Sequence, residues 1–291
     1  MKYLYFIGNG FDLHHGFDTR YVWWSTFEAH LVDFDIYDDI VEIARENSIN
    51  YGADDFSEGD RYSGGIEAEQ KFEETMSKIL GYFGNWVDSL GDLYSDIKIG
   101  LDEDADFINF NYTLTLEELY NVPADRVHHL HGKLGDETYI LGHGRSYRDI
   151  DKSIRDNEPP PPKNLPEEEL DDWYAEQWDE AYENTVGYTA SKLASYKKDT
   201  DRIIKANEEL FDAMTDLECI TIYGCSFSVI DTPYFSEAIS RVKNKNKLMF
   251  VVNWHSQKDL DNIDKFFKSE GIADDMVEKI KLDEITTIRE K

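Results

Sequence analysis

Five short apolar runs in this sequence end in Gly, Asn, His, Ser or Asp, the residue types that bind and activate nucleotides. In the first, Gly8, Asn9 and Gly10 follow directly on Tyr3–Ile7. With no Cβ at Gly8 and Gly10, backbone N–H groups can come close to a phosphate. The third glycine of the ordinary dinucleotide fingerprint is replaced by Leu13, which disfavours an orthodox dehydrogenase. Asp18 and Arg20 follow. Arg20 suits a phosphate or ribose contact, or a surface ion pair with Asp18 that would contribute little.

The second run reads Phe107-Ile-Asn-Phe-Asn-Tyr-Thr113. Strand alternation sets Asn109 and Asn111 on one side, where neutral amides can orient a ribose hydroxyl or a water. Thr113 or Thr115 suits a helix cap, and Glu118 completes a capping box with Thr115. The third run, Val127–Gly135, carries His128, His129 and His131. His129 and His131 share one strand face and His128 takes the other, and no further His or Cys run supplies more ligands, so no metal is expected. His131 suits acid–base or hydrogen-bonding work on a sugar, because an unperturbed imidazole titrates near neutrality. Gly142-His143-Gly144 either lines the same cleft or makes a turn. In the fourth run Gly224, Ser226 and Asp231 precede a helix opened by Pro233. Ser226 or Asp231 suits a ribose contact, while Asp231 or Thr232 suits a cap; nothing sets a base beside Cys225. The fifth places Asn253 at a strand end, within reach of an adenine.

The runs themselves, Tyr3–Ile7, Phe107–Phe110, Val127–Leu130, Tyr139–Leu141, Ile220–Tyr223 and Leu248–Val252, read as buried strands. Helical periods separate several of them: Glu67–Leu93 through Phe72, Met76, Ile79, Leu80, Phe83 and Val87, then Thr232–Val242 and Gln257–Phe267. Alternating strands and helices predict an α/β fold, a Rossmann-like open parallel sheet with helices on both faces. Ligands of such sheets sit beyond the carboxyl ends of the strands, where the five runs end. The expected organisation is one domain over residues 1–291, with residues 147–198 inserted as a helical cap or lid. That insert holds Pro159 to Pro162 and an acidic stretch with Trp173, Tyr174, Trp178 and Tyr182. Packing of these aromatics is the simpler reading, and a lid or partner-binding arm the other.

The net charge of −31 argues against direct nucleic-acid binding and against anionic membranes. A hydrophobic content of 41% is too high for a disordered acidic chain, so the charge reads first as solubility. An acidic mimic of DNA is the sharper alternative. Cys219 and Cys225 are the only cysteines, which excludes a disulfide scaffold and a four-cysteine zinc ribbon and fits a reduced, cytoplasmic protein. The opening apolar run stops at Ile7, too short for a signal peptide or a membrane span.

Taken in order, GNGFDLHHGFDTRY, FNYT, HLHG, YGCS with Asp231, and VVNWH resemble the AbiH-like phage abortive-infection family, within the wider sirtuin-like superfamily. The resemblance covers Met1 to about Gly144 and Ile220 to Trp254, and leaves out the insert. It implies that Gly8 and Gly10 cradle dinucleotide phosphates, and that Asp18 and Arg20 form a shortened Gly-Ile-Pro-Asp-Phe-Arg loop. Asn111 takes the place of the asparagine that positions water and ribose, Thr113 stands where sirtuins have Asp, His131 matches the catalytic histidine, and Ser226 lies at the adenosine ribose. Phe110 replaces the Gln before the catalytic Asn, and the zinc ribbon is missing, so protein deacetylation is not implied. The implied activity is that of a phage-defence effector that hydrolyses NAD, with a phage-derived trigger. A non-catalytic nucleotide sensor or partner-binding subunit is the alternative, and self-association as a homo-oligomer stays open.

Overall fold

The computed structural model describes residues 1–17, 19, 94–140, 142, 144–155, 160–177, 180–285 and 287–289, and, within 66–89, residues 66, 69–70, 72–74, 77–78, 81–87 and 89. The chain forms two compact units: one of Met1–Arg20, Gly84–Gly144 and Lys198–Lys291, the other of Tyr21–Phe83 and Arg145–Lys197.

The first unit is built on six strands: β1 (Tyr3–Ile7), β2 (Asp106–Asn109), β3 (Val127–His129), β4 (Cys219–Tyr223), β5 (Met249–Trp254) and β6 (Val277–Lys281). Their spatial order is 3-2-1-4-5-6, and every pairing is parallel. This is the order of a Rossmann-like sheet, with its topological switch at β1. Residue alternation sends the side chains of each strand to two different cores. Leu4, Phe6, Ile108, Ile220, Ile222, Phe250 and Val252 enter one, closed by helices Thr232–Arg241 and Gln257–Ser269. Tyr5, Ile7, Phe107, Val127 and Tyr223 enter the other, with Phe11 of α1 (Asn9–His14) and Leu116 of α2 (Thr115–Tyr120). Burial on both faces is why these strands read as continuous apolar runs. A separate antiparallel pair joins Ile97–Ile99 to Thr287–Arg289.

Two expectations change. Tyr139 and Ile140 belong to no strand; Ile140 N–H instead donates to His131 O, and the Tyr112 hydroxyl to Ile140 O. Leu141 lies outside the described residues. The strand Val277–Lys281 was not foreseen, because its lysines and glutamate hide the apolar pattern of an edge strand. The described residues of 66–87 are helical, with Phe72, Phe83 and Val87 buried; Met76, Ile79 and Leu80 are not among them.

In the second unit, helix Tyr147–Arg155 packs on helix Glu180–Ser195. Arg155 forks onto Glu183 at 3.1 and 2.8 Å and also meets Asp151, while Ile150, Val186, Ala190 and Leu193 are buried. In the acidic helix Leu170–Gln177, the rings of Trp173 and Tyr174 meet edge to face at 5.0 Å, and Tyr174 is exposed. Trp178 and the side chain of Tyr182 lie outside the described residues.

Candidate functional site

The loops that leave β1, β2, β4 and β5 interlock at the switch point. Gly8 N–H donates to Tyr223 O at 2.8 Å, and Gly10 N–H to Gly224 O at 2.9 Å. Gly224 sits at φ +70°, held by Asn253 Oδ1, which accepts its N–H at 2.9 Å. A Cβ on Gly8 would lie 2.5 Å from Gly224 O, and one on Gly10 would lie 2.7 Å from Gly224 Cα. The glycines of this motif are therefore required by the packing of one loop on another. Their amides are engaged within the protein, and Asn253 serves as the clamp on Gly224.

Asn109 ends β2 by accepting Asn111 N–H on its own Oδ1 at 2.9 Å, an Asx-type bond that diverts the backbone from the ladder. This turns the Asn111 side chain towards β1, where its Nδ2 donates to Gly8 O at 3.0 Å. The Nδ2 bond orients the amide and leaves Asn111 Oδ1 buried without a partner. A buried acceptor in that state costs about 1–3 kcal/mol unless something donates to it.

Beneath this pair lies Asp12, fully buried. Thr113 Oγ1 donates to one carboxyl oxygen at 2.7 Å and Thr115 Oγ1 to the other at 2.8 Å. The capping box expected at Thr115 does not form: Leu114 is the N-cap and Thr115 already lies in the helix, its hydroxyl spent on Asp12. Thr19 Oγ1 donates to Asn9 Oδ1 at 2.8 Å. Asp18, Arg20 and His143 lie outside the described residues.

Burial raises the Asp12 carboxyl from 3.8 to about 6 against the pull of these hydroxyls. An acid whose folded pKa is raised stabilises the fold fully below the unfolded value and loses that contribution as pH rises through the folded one. Asp12 thus makes the protein less stable by roughly 3 kcal/mol above about pH 6 than below pH 4. Asp12→Asn, whose neighbouring hydroxyls can turn to accept, is expected to remove this loss. In urea unfolding its stability advantage over the native chain should grow between pH 4 and 7; a gap that stays constant would sink the assignment.

His131 is buried, and its ring stacks on Phe110 with centroids 5.3 Å apart. Its Nε2 lies 3.2 Å from the Tyr234 hydroxyl and its Nδ1 3.3 Å from Lys198 Nζ. Burial first, and the Lys198 ammonium second, hold the imidazole well below its ordinary pKa. His129 stands behind Asn111: its Nδ1 is 3.1 Å from Asn111 O and its Nε2 2.9 Å from Glu117 Oε1. A carbonyl only accepts, so the Nδ1–H of His129 donates to Asn111 O.

Ser226 is exposed and donates to Asp231 Oδ2 at 3.3 Å. Asp231 holds the N-cap position without a side-chain cap bond; Ser228 Oγ instead accepts from Ile230 and Asp231 N–H. Phe227, at φ 53°, is locked in this loop by rings of Phe235 and Phe266. Burial pushes the Cys225 thiol well above its ordinary pKa, which disfavours the thiolate a nucleophile needs, and its Sγ lies near the main-chain carbonyls of Phe6 and Tyr223.

The structure thus joins Gly8, Asn111, Asp12 and Thr113 in one network, and Gly10, Gly224 and Asn253 in a second that meets it at the glycines. Ser226 pairs with Asp231, and His131 bonds to Lys198 and Tyr234. Among these partners, Lys198, Tyr234 and Glu117 were missed, since nothing near them in sequence marks them.

A family model for bacteriophage abortive infection AbiH matches residues 22–254, most of the chain. The chain belongs to the AbiH family. The AbiH match takes in the loops holding Asn111, His131, Gly224 and Asn253, and begins beyond Gly8 and Gly10. Membership places the chain in phage abortive infection. No curated protein and no solved structure matches this AbiH-family chain. Among its described residues, no helix is long and apolar enough to cross a membrane, and no group of three or more His, Cys, Asp or Glu is placed to hold a metal ion.

Proposed function

We propose that this AbiH-family chain acts in abortive infection by hydrolysing NAD to nicotinamide and ADP-ribose, at a sirtuin-like site centred on Asn111. The observation that carries the reading is Asn111 Oδ1, a buried acceptor with no partner beside the loop of β1. A water or a ribose hydroxyl is the donor that fits it. In the reaction, water oxygen bonds to C1′ of the nicotinamide ribose as the C1′–N bond breaks. Nicotinamide leaves with the bonding pair, and one proton is released. Asn111 holds the water, and positioning accounts for part of the rate. His131 meets a ribose hydroxyl by exchanging Tyr234 for it at Nε2. Thr113 is committed to Asp12 and supports the loop.

The alternative is a nucleotide sensor or partner-binding subunit without turnover. It is favoured by the engagement of the Gly8 and Gly10 amides and of both His131 ring nitrogens within the protein. Incubation with NAD, with and without lysate of phage-infected cells, separates the two. Nicotinamide release that disappears in His131→Ala supports hydrolysis. No release under any condition, while ADP-ribose still raises the melting temperature, discards hydrolysis in favour of the sensor.

A further inference from the structure

We propose that Lys198 is a positioning residue that fixes His131 in a single tautomer, with its proton on Nε2, and so makes Lys198, His131 and Tyr234 one directed row of hydrogen bonds. The geometry sets the direction. An ammonium can only donate, so Lys198 Nζ, 3.3 Å from His131 Nδ1, requires the lone pair on that nitrogen. The ring's one proton then sits on Nε2 and is donated to the Tyr234 oxygen 3.2 Å away. The Tyr234 hydroxyl hydrogen is left to point onward, so the row ends in a donor. Phe110, stacked at 21° to the imidazole, keeps the ring from tilting out of line.

The electrostatics agree. Burial pulls Lys198 down to about 8, with Asp231 opposing, so the amine is still an ammonium at neutral pH. Its charge and the burial of the ring both oppose a second proton on His131, while a hydrogen bond to the Phe110 main chain works the other way. A histidine in this state is a neutral hydrogen-bond donor, suited to hold a ribose hydroxyl and unsuited to act as a free imidazolium acid. Lys198 is the first residue of the sheet-bearing unit after residues 145–197 of the other unit, so the chain that returns from that unit delivers the group that sets the tautomer. The consequence for catalysis rests on the NAD reading; the tautomer does not.

The test is long-range proton–nitrogen NMR of histidine-labelled protein at neutral pH. The expected spectrum gives His131 a protonated Nε2 and an unprotonated Nδ1. A protonated Nδ1, as the other tautomer or as imidazolium, overturns the proposal in the native chain, with no variant needed. Lys198→Met removes the donor at similar length and should release the ring to a mixture of tautomers, while Lys198→Arg restores the native pattern. A Lys198→Met spectrum identical to the native one also overturns it. Where NAD is hydrolysed, Lys198→Met should slow release by roughly 10²-fold, the lower end of what one preorganised hydrogen-bond donor contributes, and Lys198→Arg should recover most of it. Absence of turnover in the native chain defeats the NAD reading alone, because the spectrum still decides the role of Lys198.

Discussion

Asn111→Ala is expected to cut nicotinamide release from NAD by at least about 10²–10³-fold, the effect of deleting one preorganised polar group from a reacting centre, with little change in stability. The stability half follows from the two ends of the amide. Losing Nδ2 removes a hydrogen bond to Gly8 O and a donor to the buried Asp12 carboxyl, a contribution of about 1–2 kcal/mol. Gly8 O keeps a donor in Phe11 N–H at 3.0 Å. Losing Oδ1 removes a buried acceptor that has no partner, a gain of about 1–3 kcal/mol. The terms oppose, so the melting temperature should stay within a few degrees of the native one. Folded Asn111→Ala protein that releases nicotinamide at the native rate would remove Asn111 from the mechanism. Protein that is inactive and also much less stable would make the residue a strut.

Gly224→Ala is expected to be the most damaging single-atom addition in the interlocked loops that leave β1 and β4. The residue sits at φ +70°, and a Cβ there would lie 2.3 Å from Phe11 N and 2.7 Å from Gly10 C. Both are backbone atoms at the start of α1 and have little room to retreat. Left-handed strain in alanine costs about 1–2 kcal/mol, and forced displacement of packed backbone adds roughly 1–3 kcal/mol. The sum, about 2–5 kcal/mol, corresponds to a fall in melting temperature of roughly 4–20 °C. Gly271 supplies the control, because it shares φ +70° and has nothing within 4 Å of a built Cβ. Gly271→Ala should lose only the strain portion. Equal losses at the two sites would mean that the loops do not lock as described.

The sheet was legible because its strands are buried on both faces. Tyr3–Ile7 has no polar residue to mark a solvent side, and a run of that kind bounded by glycine has few other uses. Val277–Lys281 escaped notice for the converse reason: three of its residues are Glu or Lys. The strand ends were legible too, since Asn111, His131, Gly224 and Asn253 all lie at carboxyl ends in the structure.

What each residue does there was settled by contacts across the fold. The glycines of the first loop read as a cradle for phosphate, and folding packs them against Gly224, more than two hundred residues away. Thr115 reads as a cap by its spacing to Glu118, and is claimed by Asp12 on another element. Phe110 reads only as a departure from a familiar motif, and becomes the floor under His131. Lys198 carries no local signal, because its partner lies 67 residues earlier in the chain. Sequence by itself determined the alternation of strands and helices and the chemical character of the strand ends, because period and side-chain type are local. Only the tertiary structure decided which donors and acceptors are spent on one another and which, like Asn111 Oδ1, find no protein partner, because hydrogen-bond saturation is a property of the packed neighbourhood.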